Sequence, residues 1–506
     1  MFRFLSFLLF IFLTSMGYGA SLNIAISSSP NSLSPFFSTD ANSQNINRLI
    51  NASLIDFNSN MQPICQLCES FKEYRTLDSY KIRFKLKPNL KFSNGAPLTS
   101  KDVEKSHFYF TETEKIKSIF RFAFGNIKEV KIIDELTFEL IYKSFGLDHL
   151  PNLVLFKIIQ IPNYEKLEKV EMSDLVGAGD YKIAKIAPLQ IDLKSLKADH
   201  YDLNFVVVKD ETTLSLKLIK GEIDLSVANI SPRKVNYLEK NSDVNVQKVL
   251  GTDYNYIGLN QKKDILQNEN VRKALSHLVP RAKIIKYKFK NNAVASNGLF
   301  AKSFKNFYID TPVDDFNPKK AFELFNKAGF ERKNGIWYDN NGKTFSLTWK
   351  TSSNKFQQEL VTIIKNEFEK FGLVVNVVPQ EWGTFLRGIK RGEYDLYLGR
   401  WVGFTGQDML KFAFYSENMA PKGANRVFFD NKDFDNLIKQ AEQTINKKKE
   451  VALYKKANQV VNEQYPYISL WHPNVIWVMS KCIKLKEIYP NGNFLVLKEI
   501  ENVCKN

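Results

Sequence analysis

The residues best suited to redox, metal or nucleophilic chemistry in this 506-residue chain are four cysteines, Cys65, Cys68, Cys482 and Cys504, and five histidines, His107, His149, His200, His277 and His472. Cys65-Gln66-Leu67-Cys68 has the spacing of a redox or zinc half-site. A zinc site needs a second close pair or clustered histidines, and here the histidines stand singly along the chain. A thiol oxidoreductase places its CxxC at a helix start after a strand, whereas Pro63 and Glu69-Ser70-Phe71 read as an irregular edge segment. Structural pairing or buried thiols is therefore the expected role; three pairings are open, and Cys482 with Cys504 would staple the C-terminal region. No Gly-x-Ser-x-Gly elbow, His-Glu-x-x-His helix or Walker loop occurs, and acids such as Glu381 and Asp395 have no base or nucleophile partner visible in the sequence. Catalysis, an exported hydrolase included, is the weakest reading, and no cofactor is expected.

Binding chemistry is better represented. Glu381-Trp382-Gly383-Thr384-Phe385-Leu386 and Gly399-Arg400-Trp401-Val402-Gly403 each combine an indole with glycine. The second follows a strand that starts at Asp395, so its backbone emerges at a strand's carboxyl end, where α/β proteins bind ligands. Gly399 and Gly403 would let a ligand approach the main chain. Trp401 offers a flat apolar wall with one donor. For both indoles ordinary core packing is the competing reading.

The elements that must hold these segments are mixed. Asn317-Pro318 starts a helix with Ala321, Leu324, Phe325 and Ala328 on one face, ended by Gly329. Leu360, Ile363, Ile364, Phe368 and Phe371 repeat at helical spacing up to Gly372, and a β-branched strand, residues 373–378, follows. SYKIRFKLKPNLKFSN and LTFELIYKS alternate with period two, as antiparallel strands do. Residues 334–352 predict two strands joined at Asn340-Asn341-Gly342. An internal echo stands out: Lys220-Gly221-Glu222-Ile223-Asp224-Leu225 is matched by Arg391-Gly392-Glu393-Tyr394-Asp395-Leu396, each after an amphipathic helix. It predicts two lobes built alike.

Composition bounds the rest. The length predicts two to four domains, and 44% apolar with 13% aromatic residues supplies real cores. Residues 1–20 carry Arg3, an apolar stretch over 4–13 and the small residues Gly17, Gly19 and Ala20, which reads as a cleavable secretory signal. The net charge is +17, but the lysines are spread along the chain among acids, as on solvated helix faces. With export, that sets nucleic acid aside as a partner.

Tyr80-Lys-Ile-Arg-Phe-Lys-Leu-Lys-Pro-Asn-Leu-Lys-Phe-Ser-Asn-Gly-Ala-Pro-Leu-Thr99, followed by Lys101-Asp102-Val103, resembles the most recognisable stretch of the family-5 extracellular solute-binding proteins, the oligopeptide, dipeptide and nickel-chelate receptors of ABC importers. Similar matches follow in the family's order at Gly177-Ala-Gly-Asp-Tyr181, Tyr256-Ile-Gly-Leu-Asn260, Asn270-Val-Arg-Lys-Ala-Leu275, Asn317-Pro-Lys-Lys-Ala321 and Tyr465-Pro-Tyr-Ile-Ser-Leu-Trp-His472. The resemblance implies a mixed α/β Venus flytrap of two hinged lobes with an additional inserted domain. Lobe I would collect residues 21–44, 170–256 and 466–506, the inserted domain 45–169, and lobe II 257–465, with hinge crossovers near 256–260 and 465–471. It implies a periplasmic monomer that captures a short peptide or peptide-like solute and delivers it to an inner-membrane permease with its ATPase subunits.

The same resemblance places Ser28 and Ser29 in a first ligand-facing loop and adds Trp382, Arg400, Trp401, Val402, Gly403, Phe404 and Asp408 as ligand-binding residues. In such receptors the segment around the tryptophan pairs its backbone with the ligand like an added strand, and a nearby aspartate usually meets the ligand's α-amino group. Here the third residue after Trp401 is Phe404, and the nearest acid is Asp408. Either Asp408 reaches that place through a rearranged loop, or the ligand is not a free-amine peptide. The rival reading is a nickel-chelate receptor with His472 as its metal candidate.

Overall fold

A computed structural model describes residues 20–76, 79–146, 149–227, 230–403, 406 and 408–504. The signal-peptide segment up to residue 19 and the candidate Phe404 lie outside the described residues.

Two α/β units share one sheet of twelve strands. In the first, Ser21–Ile26 lies between Asp202–Val207 and Leu225–Val227, parallel to both. In the second, Ser346–Ser352 lies parallel between Val374–Gln380 and Leu396–Trp401, and Tyr254–Leu259 runs antiparallel to Leu396–Trp401. These central strands are buried on both faces, as parallel strands covered by helices must be.

One long strand, Tyr467–Ser480, belongs to both units. Its first part pairs with Tyr254–Leu259 and Ala293–Ala295, and its second with Val244–Leu250 and Leu225–Val227. The chain therefore passes between units at residues 251–253 and again at 471–474. Pro473 can sit inside this strand because its missing N–H falls where the partner changes. Its carbonyl accepts from the Gly251 N–H at 3.0 Å, and a Cβ at Gly251 would lie closer than 3.0 Å to that oxygen.

A third unit is a four-stranded antiparallel sheet, Cys68–Arg75, Tyr80–Leu86, Thr137–Tyr142 and Ile127–Ile132, covered by helix Ser100–Thr111. Tyr80, Ile82, Phe84 and Leu86 alternate inward into its own core. The Thr99 N–H donates to the Asp102 carboxylate at 2.8 Å, which fixes the helix start. The cysteines pair as Cys65–Cys68 and Cys482–Cys504.

The turn at Asn340-Asn341-Gly342 forms, with Gly342 at φ +73°, and the predicted hairpin is short: Tyr338 bridges antiparallel to Thr344, and the Phe345 N–H donates to the Trp337 carbonyl at 2.8 Å. Ile336–Tyr338 also pairs with Glu331–Lys333. Ser346–Ser352 is taken up by the parallel sheet, where it buries both faces.

Candidate ligand-binding site

The internal echo is built the same way twice. Asp224 donates its N–H to the Asn23 carbonyl at 2.8 Å and accepts the Asn23 N–H on its carboxylate at 2.7 Å. Asp395 donates to the Thr348 carbonyl at 3.0 Å and accepts the Thr348 N–H at 2.7 Å. Each aspartate thus clamps the start of a strand to the central strand beside it, after a helix ended by a left-handed glycine, Gly221 at φ +70° or Gly392 at φ +73°. Burial raises the Asp224 pKa.

Parallel strands pinned at their starts end along one edge. In the first unit that edge carries Ser28 and Ser29, just after Ser21–Ile26; in the second it carries Trp382, just after Val374–Gln380, and Trp401, Val402 and Gly403. Carboxyl edges of this kind are where open α/β sheets hold ligands.

Trp401 closes an aromatic layer on one face of the second unit. Its ring lies 6.1 Å from Tyr256 at 20°, Tyr256 stacks on Tyr467 at 3.8 Å, and the indole N–H points to the Tyr467 hydroxyl at 3.3 Å. The Arg426 guanidinium sits 5.0 Å from the indole, and Phe412 meets it edge-on at 5.8 Å. Burial pushes the Tyr256 and Tyr397 phenols up, so both stay protonated as donors.

Gly399 has a different role from the one expected. It faces Tyr256 and Gly258 faces Tyr397 in the strand register. A Cβ at either glycine would lie closer than 3.0 Å to the opposing ring, so the space at Gly399 is filled by Tyr256 rather than left for a ligand. Gly403 is open among the described residues: at φ +67° a Cβ there would meet none of their atoms within 4 Å. Val402 beside it is 58% exposed, and the ladder to Tyr254–Leu259 stops at Trp401.

The other candidates fall around this segment. Arg400 pairs with Asp253, one of the crossover residues. Trp382 is 55% exposed and packs on Phe385, on the same edge as Trp401 but with Ser346–Ser352 between. Asp408 begins helix Asp408–Phe414 and lines a cavity with Lys411 and Phe412. Ser29 donates to the Pro188 carbonyl at 2.8 Å, and Ser28 accepts on its carbonyl from Asn42 at 2.9 Å, both within the first unit. His472 is buried, its Nδ1 2.8 Å from the Asp253 carbonyl and its Nε2 3.0 Å from Ser296 Oγ, and burial lowers its pKa. Both ring nitrogens are engaged by the protein, which does not suit His472 to the metal role considered for it. Among the described residues no three His, Cys, Asp or Glu side chains converge.

Tyr256, Tyr397 and Tyr467 were not singled out as site residues from the sequence. The signal was present in two Tyr-x-Gly triplets, Tyr256-Ile-Gly258 and Tyr397-Leu-Gly399, whose rings and glycines interlock across the ladder.

The sequence profile of bacterial extracellular solute-binding proteins, family 5 (middle), matches residues 62–420. The oligopeptide-binding protein AppA of Bacillus subtilis is 24% identical over 501 residues, covering 93% of this chain and 90% of the relative. The structure of AppA in complex with a nonapeptide superposes with a TM-score of 0.74 at 22% identity, over 96% of this chain and 99% of that one. NikZ from Campylobacter jejuni in complex with Ni(L-His) superposes with a TM-score of 0.75 at 21% identity, over 95% and 99%. Among the described residues no helix is long and apolar enough to cross a membrane.

Proposed function

Because the chain belongs to the bacterial extracellular solute-binding proteins of family 5, we propose that it is the periplasmic receptor of an ABC importer that captures a short peptide. The peptide adds its backbone to the edge at Val402 and Gly403, lies against Trp401, and is released unchanged to the permease. In this reading the lobes follow those expected from the sequence with their boundaries moved to the crossovers at 251–253 and 471–474, which serve as pivots, and a single chain is the working unit.

The observation that carries the reading is the open main chain at 402–403 beside an indole already fixed by Tyr467 and Arg426. An exposed strand end gives a peptide main-chain hydrogen bonds with little demand on side-chain identity, and the fixed indole costs no ordering on binding. A ligand that touches both lobes stabilises the closed form by its differential contacts. Arg400, bound to Asp253 at the pivot, ties the ligand segment to the hinge. Asp408, which lines the cavity beside Phe412, would meet the ligand's amine. Ser28, Ser29 and Trp382 would supply the facing and flanking contacts, and nothing in this scheme breaks a covalent bond.

The test is calorimetry of purified protein, stripped of bound ligand by unfolding and refolding, against peptides of two to nine residues and, separately, against nickel–histidine chelate. Saturable peptide binding without binding of the chelate is the expected result. Binding of the chelate alone would replace the reading with that of a metal receptor.

A further inference from the structure

We propose that the antiparallel third unit and helix Asp408–Phe414 form a side-chain subsite, which takes an apolar or aromatic side chain of the bound peptide between Phe122 and Phe412. The inference rests on the peptide-receptor reading and adds to it what the receptor selects.

Phe122 is 81% exposed on the four-residue helix Arg121–Phe124, whose next two residues, Ala123 and Phe124, are buried. Phe412 is 49% exposed. A single exposed phenylalanine needs no explanation. These two come from different units and line one cavity of about 350 Å³, and a concave apolar pocket with a few polar groups is where ligands are held. The cavity's position commits it to the peptide. Phe412 is the ring that packs edge-on against Trp401, so the cavity begins one ring away from the proposed backbone-binding edge. A strand laid at Val402 and Gly403 projects alternate side chains to one side, and one of them can reach that cavity.

The polar rim sets the sign of what is rejected. Asp408 and Glu442 line the same cavity, with Lys411 bound to Glu442 at 2.6 Å. Among the described lining residues an acidic side chain would meet two carboxylates, one lysine already paired, and His149 and Asn126, which are bound to each other, whereas a phenyl or branched aliphatic group displaces water from both rings.

The experiment is a phenylalanine scan of alanine peptides of three to five residues, with affinities measured by calorimetry for the wild-type protein and for F122A and F412A. In the wild type, phenylalanine at one position should tighten binding at least tenfold over the all-alanine peptide of equal length, and glutamate there should weaken it. In F122A the phenylalanine preference should fall to about twofold or less, and F412A should lose it similarly. A preference that persists in both variants, or a wild type that binds alanine peptides without preferring phenylalanine anywhere, overturns the subsite and leaves the peptide reading standing. A wild type that binds none of the peptides overturns both.

Discussion

Trp401 is the residue whose role is easiest to separate from folding. Its ring packs against Tyr256 and Phe412, its N–H reaches Tyr467, and it stays partly exposed at the end of the strand Leu396–Trp401. W401A should weaken peptide binding at least tenfold, about 1.4 kcal/mol, and lower the melting temperature by only a few degrees; unchanged affinity in a folded variant would remove the indole from the site. D408N should hurt peptides with a free α-amine several-fold more than their N-acetylated forms, and equal losses would count against an amine-binding role. Trp401 stands out in the sequence by its type and its place after a strand, whereas Asp408 is singled out only by the family resemblance. Gly399 was legible only in part: the sequence shows that a side chain is missing there, but only the register shows which ring uses the space.

Lys157 carries no mark in the sequence, where it is one lysine among many. It is buried, with its amine 3.4 Å from Ser53 Oγ, and burial, aided by repulsion from Arg48, lowers its pKa to about 7. The unfolded chain holds that proton up to about pH 10.4, so between pH 7 and 10 the unfolded state binds more protons than the folded one. Stability should therefore rise with pH across that window, by as much as a few kcal/mol. K157M should be more stable than the wild type near neutrality and lose that advantage toward pH 10 in denaturant titrations. A flat wild-type profile would contradict the burial of a titrating amine.

At the scale of elements, local signals were strong where a cap or a stop specifies an end. Asn317 accepts from the Lys320 N–H at 3.0 Å ahead of helix Pro318–Lys327, and Gly372 at φ +102° ends helix Lys355–Phe371. Signals were incomplete where long-range pairing decides, as in Ser346–Ser352, which leaves a short hairpin for the parallel sheet, and in the strand that runs through Pro473. The Tyr-x-Gly interlock is the element-scale feature with the sharpest consequence. G399A drives a methyl group into the Tyr256 ring and should cost about 1–3 kcal/mol of stability. Y256L in the same chain should recover part of that loss, giving a favourable coupling term in a double-mutant cycle. Additive effects would mean that the two residues do not share this space.

At the scale of the molecule, the echo around Asp224 and Asp395 carries the architecture: one clamp, used twice, aligns two sets of strand ends, and the strand Tyr467–Ser480 joins the sets. The six-residue repeat made two similar lobes readable in advance, because the same hydrogen bonds need the same residues. The docking of the third unit was not readable, since it depends on contacts such as Arg75 with Glu450, 3.3 Å apart and 375 positions distant in sequence.

The central claim is that this hinged chain holds a peptide reversibly and leaves it chemically intact. The direct measurement is mass spectrometry of protein purified from its exported location, recording what is released on denaturation and the mass of that ligand after prolonged incubation with fresh protein. The account predicts short peptides released in about one-to-one ratio and unchanged in mass with time. Accumulating cleavage products, or a covalent adduct on the chain, would contradict it.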